Sequence, residues 1–187
     1  IIDDGSTDSS SQIIDTYAQK DPRIRVITQK NEGLTRALNR GIESCNAPYI
    51  ARADADDHSL VDRLEKQVRF MNESPEVVLL GSGAHLLNAH GKRYQTVFAP
   101  EEDEAIRKAM RKRNIFFHSA TLMRSSVLRQ VGGYDPDFVR SQDYELWLRY
   151  TRKGNIIIND QKPLIKFRYD SNIIDRRRRE QWNNVKL

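Results

Sequence analysis

Ile1-Ile2-Asp3-Asp4-Gly5-Ser6-Thr7-Asp8 and Tyr49-Ile50-Ala51-Arg52-Ala53-Asp54-Ala55-Asp56-Asp57 decide how this chain reads. Each is a short apolar run that ends abruptly in carboxylates. Such a run reads as a buried strand. Open α/β sheets bind their ligands just past the carboxyl ends of their strands. Two such ends on neighbouring strands gather Asp3, Asp4, Asp54, Asp56 and Asp57 in one cleft. Carboxylates held together repel one another, so the cluster requires a cation, donor groups or a raised pKa. A site for a metal and a polyoxygenated ligand is the leading expectation.

Outward from these stretches, strand and helix patterns alternate. Ser6, Thr7 and Asp8 are N-cap candidates for a helix from Ser9 to Lys20, with Ile13, Ile14 and Tyr17 on one face. A strand follows from Ile24 to Thr28 and a helix from Gly33 to Ser44. Tyr49 to Ala53 is the strand before the acidic turn. Leu60 to Met71 reads as a helix with Leu60, Leu64, Val68 and Met71 inward, and Val77 to Leu80 as a strand. The alternation predicts an α/β fold with a mostly parallel, Rossmann-like sheet flanked by crossover helices.

The second half is less regular. Helices are expected over Glu101–Arg113, Ser125–Val131 and Gln142–Arg152, an extended stretch over Ile115–Met123, and strands over Asn155–Ile158 and Leu164–Tyr169. No repeat or linker is visible, so residues 1–187 read as one domain. Its parts are a ligand-binding half over 1–80, a second half over 81–170 and a basic tail over 171–187.

The chain has 187 residues, 30% of them charged and 38% hydrophobic, which suits a globular domain with a real core. Its net charge of +5 favours anionic partners. The single cysteine, Cys45, excludes an internal disulfide and reads as a small core residue. No run approaches the roughly 20 apolar residues that span a bilayer. The chain opens on what looks like the end of a strand, so a preceding strand is expected in the parent protein.

Asp54-Ala55-Asp56 offers hard oxygen ligands that suit Mg²⁺ or Mn²⁺. Taken alone it is an acidic turn whose Asp57 or Ser59 caps the next helix. The strand before it, the helix after it and the partner acids Asp3 and Asp4 favour the metal reading. Arg36 reads equally as a surface arginine or as a partner of Asp4 or a phosphate. His118 reads first as a satisfied residue of an apolar stretch, and His58 as solvent-facing. Trp147 fits the core, and Tyr144 reads as an aromatic face for a ligand ring. Arg176–Arg179 is by default a solvated tail, with anionic lipid as the next reading. Nucleic acid ranks last, since no aromatic interleaving accompanies the run.

In order along the chain, Asp3 to Asp8, Asn31-Glu32-Gly33-Leu34-Thr35-Arg36-Ala37-Leu38-Asn39-Arg40-Gly41-Ile42, Tyr49 to Asp57, Arg63 to Gln67, Gly132-Gly133-Tyr134-Asp135 and Ser141 to Arg149 resemble family 2 glycosyltransferases of the GT-A fold. The resemblance covers about residues 1–150. It implies an inverting transfer of a sugar from a nucleoside diphosphate sugar, a UDP-sugar first, to a hydroxyl on a saccharide or lipid-linked acceptor. Asp3 and Asp4 would face the nucleotide, Asp4 at the base, and Asp54 the ribose or the metal site. Asp56 would ligate Mn²⁺ or Mg²⁺, and Asp143 would be the general base. His118 and Gln142 would stand near the acceptor or the metal. Gln142 departs from the acid common at that position in the family. The resemblance also implies a role in surface polysaccharide or glycolipid synthesis, at the cytoplasmic face of a membrane. The alternatives are a nucleotide-sugar-binding module without catalysis and a nucleotidyltransferase on a similar sheet.

Overall fold

The computed structural model describes residues 1–168. The basic run Arg176–Arg179, with the tail assigned to it, lies outside the described residues. The first half contains β1 (Ile2–Asp3), α1 (Ser10–Lys20), β2 (Ile27–Thr28), α2 (Leu34–Ser44), β3 (Tyr49–Ala51), β4 (His58–Ser59), α3 (Arg63–Glu73) and β5 (Val77–Leu87). The second half contains β6 (Arg93–Val97), α4 (Asp103–Met110), a 3₁₀ turn at His118–Ala120, β7 (Leu122–Arg124), α5 (Ser125–Gln130), α6 (Gln142–Arg152) and β8 (Ile156–Arg168).

The strands form two sheets, a two-stranded one of β1 and β2 and a six-stranded one of β3 to β8 that is mixed, not mostly parallel. Strands β1–β2 and β5–β8 pair parallel, whereas β3–β7, β5–β7, β4–β8 and β5–β6 pair antiparallel. The expected alternation breaks after β5, where no crossover helix follows. The chain instead turns back at once into β6. Asn88 Oδ1 accepts from the backbone N–H groups of His90 and Lys92, and Gly91 takes φ +74°. This is a turn built by an asparagine side chain.

Strand β5 is the hub, with β7 and β8 beside its first part and β6 and β8 beside its second. It runs well past the predicted end at Leu80, because Gly81 and Gly83 interrupt the apolar pattern without ending the strand. Gly81 is required there. A Cβ on it would lie 2.6 Å from the Phe116 ring and closer still to Asn159. Strand β8 fuses the two predicted strands 155–158 and 164–169 within its described length, with register shifts against β5.

The largest core cluster joins Leu79 of β5 to Ile106 and Met110 of α4 and to Leu146, Trp147 and Tyr150 of α6. Trp147 is fully buried, in line with the core reading. Tyr144 is buried too, and its hydroxyl donates to the Met110 carbonyl, so it does not offer a sugar-stacking face. Helix α3 corrects the sequence reading in a consequential way. It starts at Arg63, and its buried face is Arg63, Gln67 and Met71, while Leu64 is 52% exposed. Helix α1 buries no residue, and Ile13 and Tyr17 are 55% and 57% exposed.

Candidate active site

The acidic loop starts where β3 ends. The Arg52 N–H donates to the Thr121 carbonyl at 3.0 Å, which fixes the exit from the strand. The Arg52 guanidinium then pairs with the Asp54 carboxylate and donates to the Ala53 carbonyl. The Asp57 N–H closes a turn on the Asp54 carbonyl at 3.2 Å. Asp57 caps no helix. Its carboxylate accepts from the Ser119 hydroxyl and, at 2.9 Å, from the Arg168 N–H. Burial lifts its pKa above the ordinary value, and the two hydrogen bonds oppose that rise. Asp56 is exposed, and its carboxylate makes no hydrogen bond or ion pair among the described residues. His58 is exposed on β4, opposite Lys166 of β8.

The acids after β1 are committed locally. Asp3 is buried, accepting from the Ser6 N–H at 2.9 Å and the Ser11 hydroxyl at 2.5 Å, and these bonds hold its pKa down. Asp4 accepts from Gln29 Nε2 at 2.7 Å and from the N–H groups of Glu32 and Gly33 at 2.9 Å each. It therefore organises the turn that leads into α2. Arg36 is exposed on α2 and has no hydrogen bond or ion pair with Asp4.

The opposite wall comes from α6 and the loops before it. Asp143 sits in the first turn of α6, one residue inside the helix, where a negative charge is favoured. Its Oδ2 accepts from Asn114 Nδ2 at 2.6 Å. Burial raises its pKa, the Asn114 and backbone hydrogen bonds lower it, and the charge of Asp54 raises it again. Gln142 is buried beside it. His118 Nε2 lies 2.7 Å from the Tyr134 hydroxyl, and its ring meets Trp147 edge-on. Burial, with the Arg52 charge adding, pushes His118 down to about 3 from its ordinary value of 6.5. It is a neutral hydrogen-bonding group. Tyr134 is buried, and the charges of Arg52, Asp143 and Asp54 all act on its hydroxyl.

Tyr134 is held by Asn39 of α2. Asn39 Nδ2 donates to the Tyr134 carbonyl at 2.7 Å, and the Tyr134 N–H donates to Asn39 Oδ1 at 2.8 Å.

Contacts link these groups: Arg52 pairs with Asp54, its N–H donates to the Thr121 carbonyl, Thr121 donates to the His118 carbonyl, and His118 meets Tyr134 and Trp147 of α6, the helix that carries Asp143. Asp3, Asp4 and Arg36 are engaged or exposed around the start of α2. Arg52, Asn114 and Tyr134 were not among the expected site residues. For Arg52 a signal was available: it is a lone cation in an acidic run. Among the described residues no group of three or more His, Cys, Asp or Glu side chains could hold a metal by itself.

The chain belongs to glycosyl transferase family 2, whose model matches residues 1–132. That assignment removes the nucleotidyltransferase alternative.

It is 34% identical over its whole length to the amylovoran biosynthesis glycosyltransferase AmsE of Erwinia amylovora, covering 69% of that protein. Over 71% of its length it is 34% identical to the O-antigen biosynthesis glycosyltransferase WbnJ of Escherichia coli, covering 51% of it. Over 95% of its length it is 29% identical to the E. coli UDP-Gal:alpha-D-GlcNAc-diphosphoundecaprenol beta-1,3-galactosyltransferase, covering 64% of it. The chain thus spans between about half and about two thirds of these relatives.

Among solved structures it matches residues 1–349 of S. aureus TarS, with a TM-score of 0.68 at 16% identity. The match covers all of this chain and 56% of that one. TarS solved with UDP-GlcNAc matches at a TM-score of 0.67 and 16% identity, over 91% of this chain and 49% of that one. At that identity the likeness shows the fold alone.

Proposed function

We propose that this chain carries the donor-binding and catalytic centre of an inverting glycosyltransferase that builds surface polysaccharide or glycolipid. The observation that carries the proposal is the chain of contacts from the acidic loop to α6: the Arg52 N–H donates to the Thr121 carbonyl, Thr121 donates to the His118 carbonyl, and the His118 ring meets Trp147 on the helix that carries Asp143. A donor diphosphate on the loop side and an acceptor hydroxyl on the α6 side would meet between them. Asp143, raised by burial, takes the proton from the acceptor hydroxyl as that oxygen attacks the anomeric carbon. The bond to the diphosphate breaks on the opposite face, so the configuration inverts. Neutral His118 and Gln142 lie on the acceptor side of Asp143. On the donor side, Asp54 orients the ribose or helps to order the metal site. Asp4 and Asp3 shape the turn that receives the base, and exposed Arg36 is free to meet a phosphate.

The residues fit Mn²⁺ or Mg²⁺. Mg²⁺ is commonly held by one or two carboxylates together with substrate phosphates, without a complete protein cage. Asp56, exposed and uncommitted, supplies such a carboxylate. The ion would neutralise the departing diphosphate.

A UDP-sugar is the preferred donor, supported by TarS, solved with UDP-GlcNAc, and by the name of the E. coli galactosyltransferase. That name also supports a lipid-linked saccharide acceptor, which brings the reaction to the cytoplasmic face of a membrane. No helix among the described residues is long and apolar enough to cross one. Peripheral contact through the basic tail would supply about 1 kcal/mol per Lys or Arg near an anionic surface.

Calorimetry of UDP binding, with and without Mn²⁺, tests this on the wild type and Asp56→Ala. Binding that needs both the metal and Asp56 is expected. Metal-independent binding that Asp56→Ala leaves intact would remove the metal assignment, and absence of UDP binding would remove the uridine donor.

A further inference from the structure

We propose that Arg63 is a positioning residue: it sets the shape of the acidic loop and, through it, the binding of the donor diphosphate. The second half of this statement rests on the function proposed above. Arg63 begins α3 and is 1% exposed. Its guanidinium reaches both ends of the loop. Nη2 donates to the Arg52 carbonyl at 3.0 Å, where the loop leaves β3. Nη1 donates to the Ser59 hydroxyl at 2.9 Å, in β4, where the loop ends. Nη2 also donates to the Thr121 carbonyl at 3.1 Å, which accepts the Arg52 N–H as well. Nε donates to Gln67 Oε1 at 3.0 Å. Gln67 in turn donates to the Ala120 and Leu80 carbonyls at 2.8 and 3.3 Å. One planar fork therefore ties residues 52 and 59 to a helix that is itself tied to the central sheet.

Helix packing alone does not account for this arrangement. A buried cation that contacts no carboxylate among the described residues is costly, and an apolar side chain packs a helix on a sheet without that cost. Desolvation lowers the Arg63 pKa to about 10, so the group stays charged at neutral pH. What a guanidinium adds is a set of donors fanned in one plane. It also puts a positive charge near an acidic loop, where the interaction with Asp57 favours the cation. Asp54, Asp56 and Asp57 repel one another, and the clamp holds their loop in one shape before any ligand arrives.

Hydrogen exchange of the 53–58 amides and calorimetry of UDP with Mn²⁺ test this on the wild type, Arg63→Lys and Ser59→Ala. Lysine keeps the charge and loses the fork. Arg63→Lys is expected to speed exchange in the loop about tenfold, with the β5 amides unchanged. It should weaken Mn²⁺-dependent UDP binding about tenfold, the loss typical of a support behind a metal ligand. Ser59→Ala removes one contact with little risk to folding, and an effect in the same direction of about threefold is expected. Loop exchange unchanged in both variants would overturn the clamp. So would exchange that rises equally in the loop and in β5, which marks a merely structural residue. If the wild type binds no UDP with Mn²⁺, the donor assignment fails, and selective loop exchange still decides whether Arg63 sets the loop.

Discussion

Asp143 is raised by burial, and Asn114, donating from 2.6 Å, works against the rise. As the proposed base it must be ionised to act. The acid limb of kcat/KM is therefore expected above the ordinary carboxylate range of about 3.9. Asn114→Ala removes a donor to the charged form, so the limb moves to still higher pH. A pH–rate profile of the two proteins measures this, and an unmoved limb would separate Asn114 from the base.

Asp143→Asn is expected to lower turnover about 10²–10⁴-fold while UDP affinity holds. It should also stabilise the protein. A carboxyl whose folded pKa is raised favours folding only below its unfolded pKa, and that contribution is lost as pH rises through the folded value. At neutral pH the asparagine variant gains about 1 kcal/mol. In a thermal melt of a chain this size that is about 2–4 °C, and the gain shrinks in acid.

At this scale the sequence singles out Asp54, Asp56 and Asp143 as candidates, because ordered motifs surround them. Their supports were not singled out. Asn114 lies far from Asp143 in sequence, and only the fold brings them together. The charges of Asp3 and Asp4 were legible too, but not that local N–H and hydroxyl donors consume both carboxylates.

Among the elements, α2 is the strut for the loop that carries Tyr134. Asn39 pairs with both backbone groups of Tyr134, and Asn39→Ala leaves them without partners. A loss of about 2 kcal/mol is expected in urea unfolding. Gly133 has φ +67°, and a Cβ on it would sit 2.7 Å from Asn39 Oδ1. Gly133→Ala is therefore expected to cost about 1–2 kcal/mol from the left-handed backbone alone, with the Asn39 contact adding to it.

Helix α6 was legible from end to end, since its apolar spacing is unbroken. Helix α3 was misread in part: Met71 is buried and Val68 packs against the core as expected, whereas Leu64 is exposed. Burial went to Arg63 and Gln67, whose hydrogen bonds repay their desolvation. Strand β5 was read short because its glycines look like a stop. Strand β6 was missed because its residues Arg93–Val97 are polar and partly exposed.

For the molecule as a whole, His118 links stability to acid. Its folded pKa is about 3, far below the ordinary 6.5. A depressed pKa contributes stability above the unfolded value, and that contribution is lost as pH falls toward the folded one. Tm should therefore decline between pH 6.5 and 3, and His118→Gln should flatten the decline. Equal slopes in the two proteins would assign the acid sensitivity elsewhere. The overall class was legible from the order of the motifs. The mixed sheet was not, since strand direction depends on how each connection turns, and an asparagine-built hairpin has little signature.

Strand β5 pairs in parallel with β8 from partners roughly 80 residues apart, and Asp57 accepts from an N–H 111 residues away. Contacts so distant along the chain form late and slow the search for the native state. During synthesis the acidic loop leaves the ribosome early, yet its last anchor is the N–H of Arg168. The loop therefore holds its full set of anchors only after the final described strand has been made.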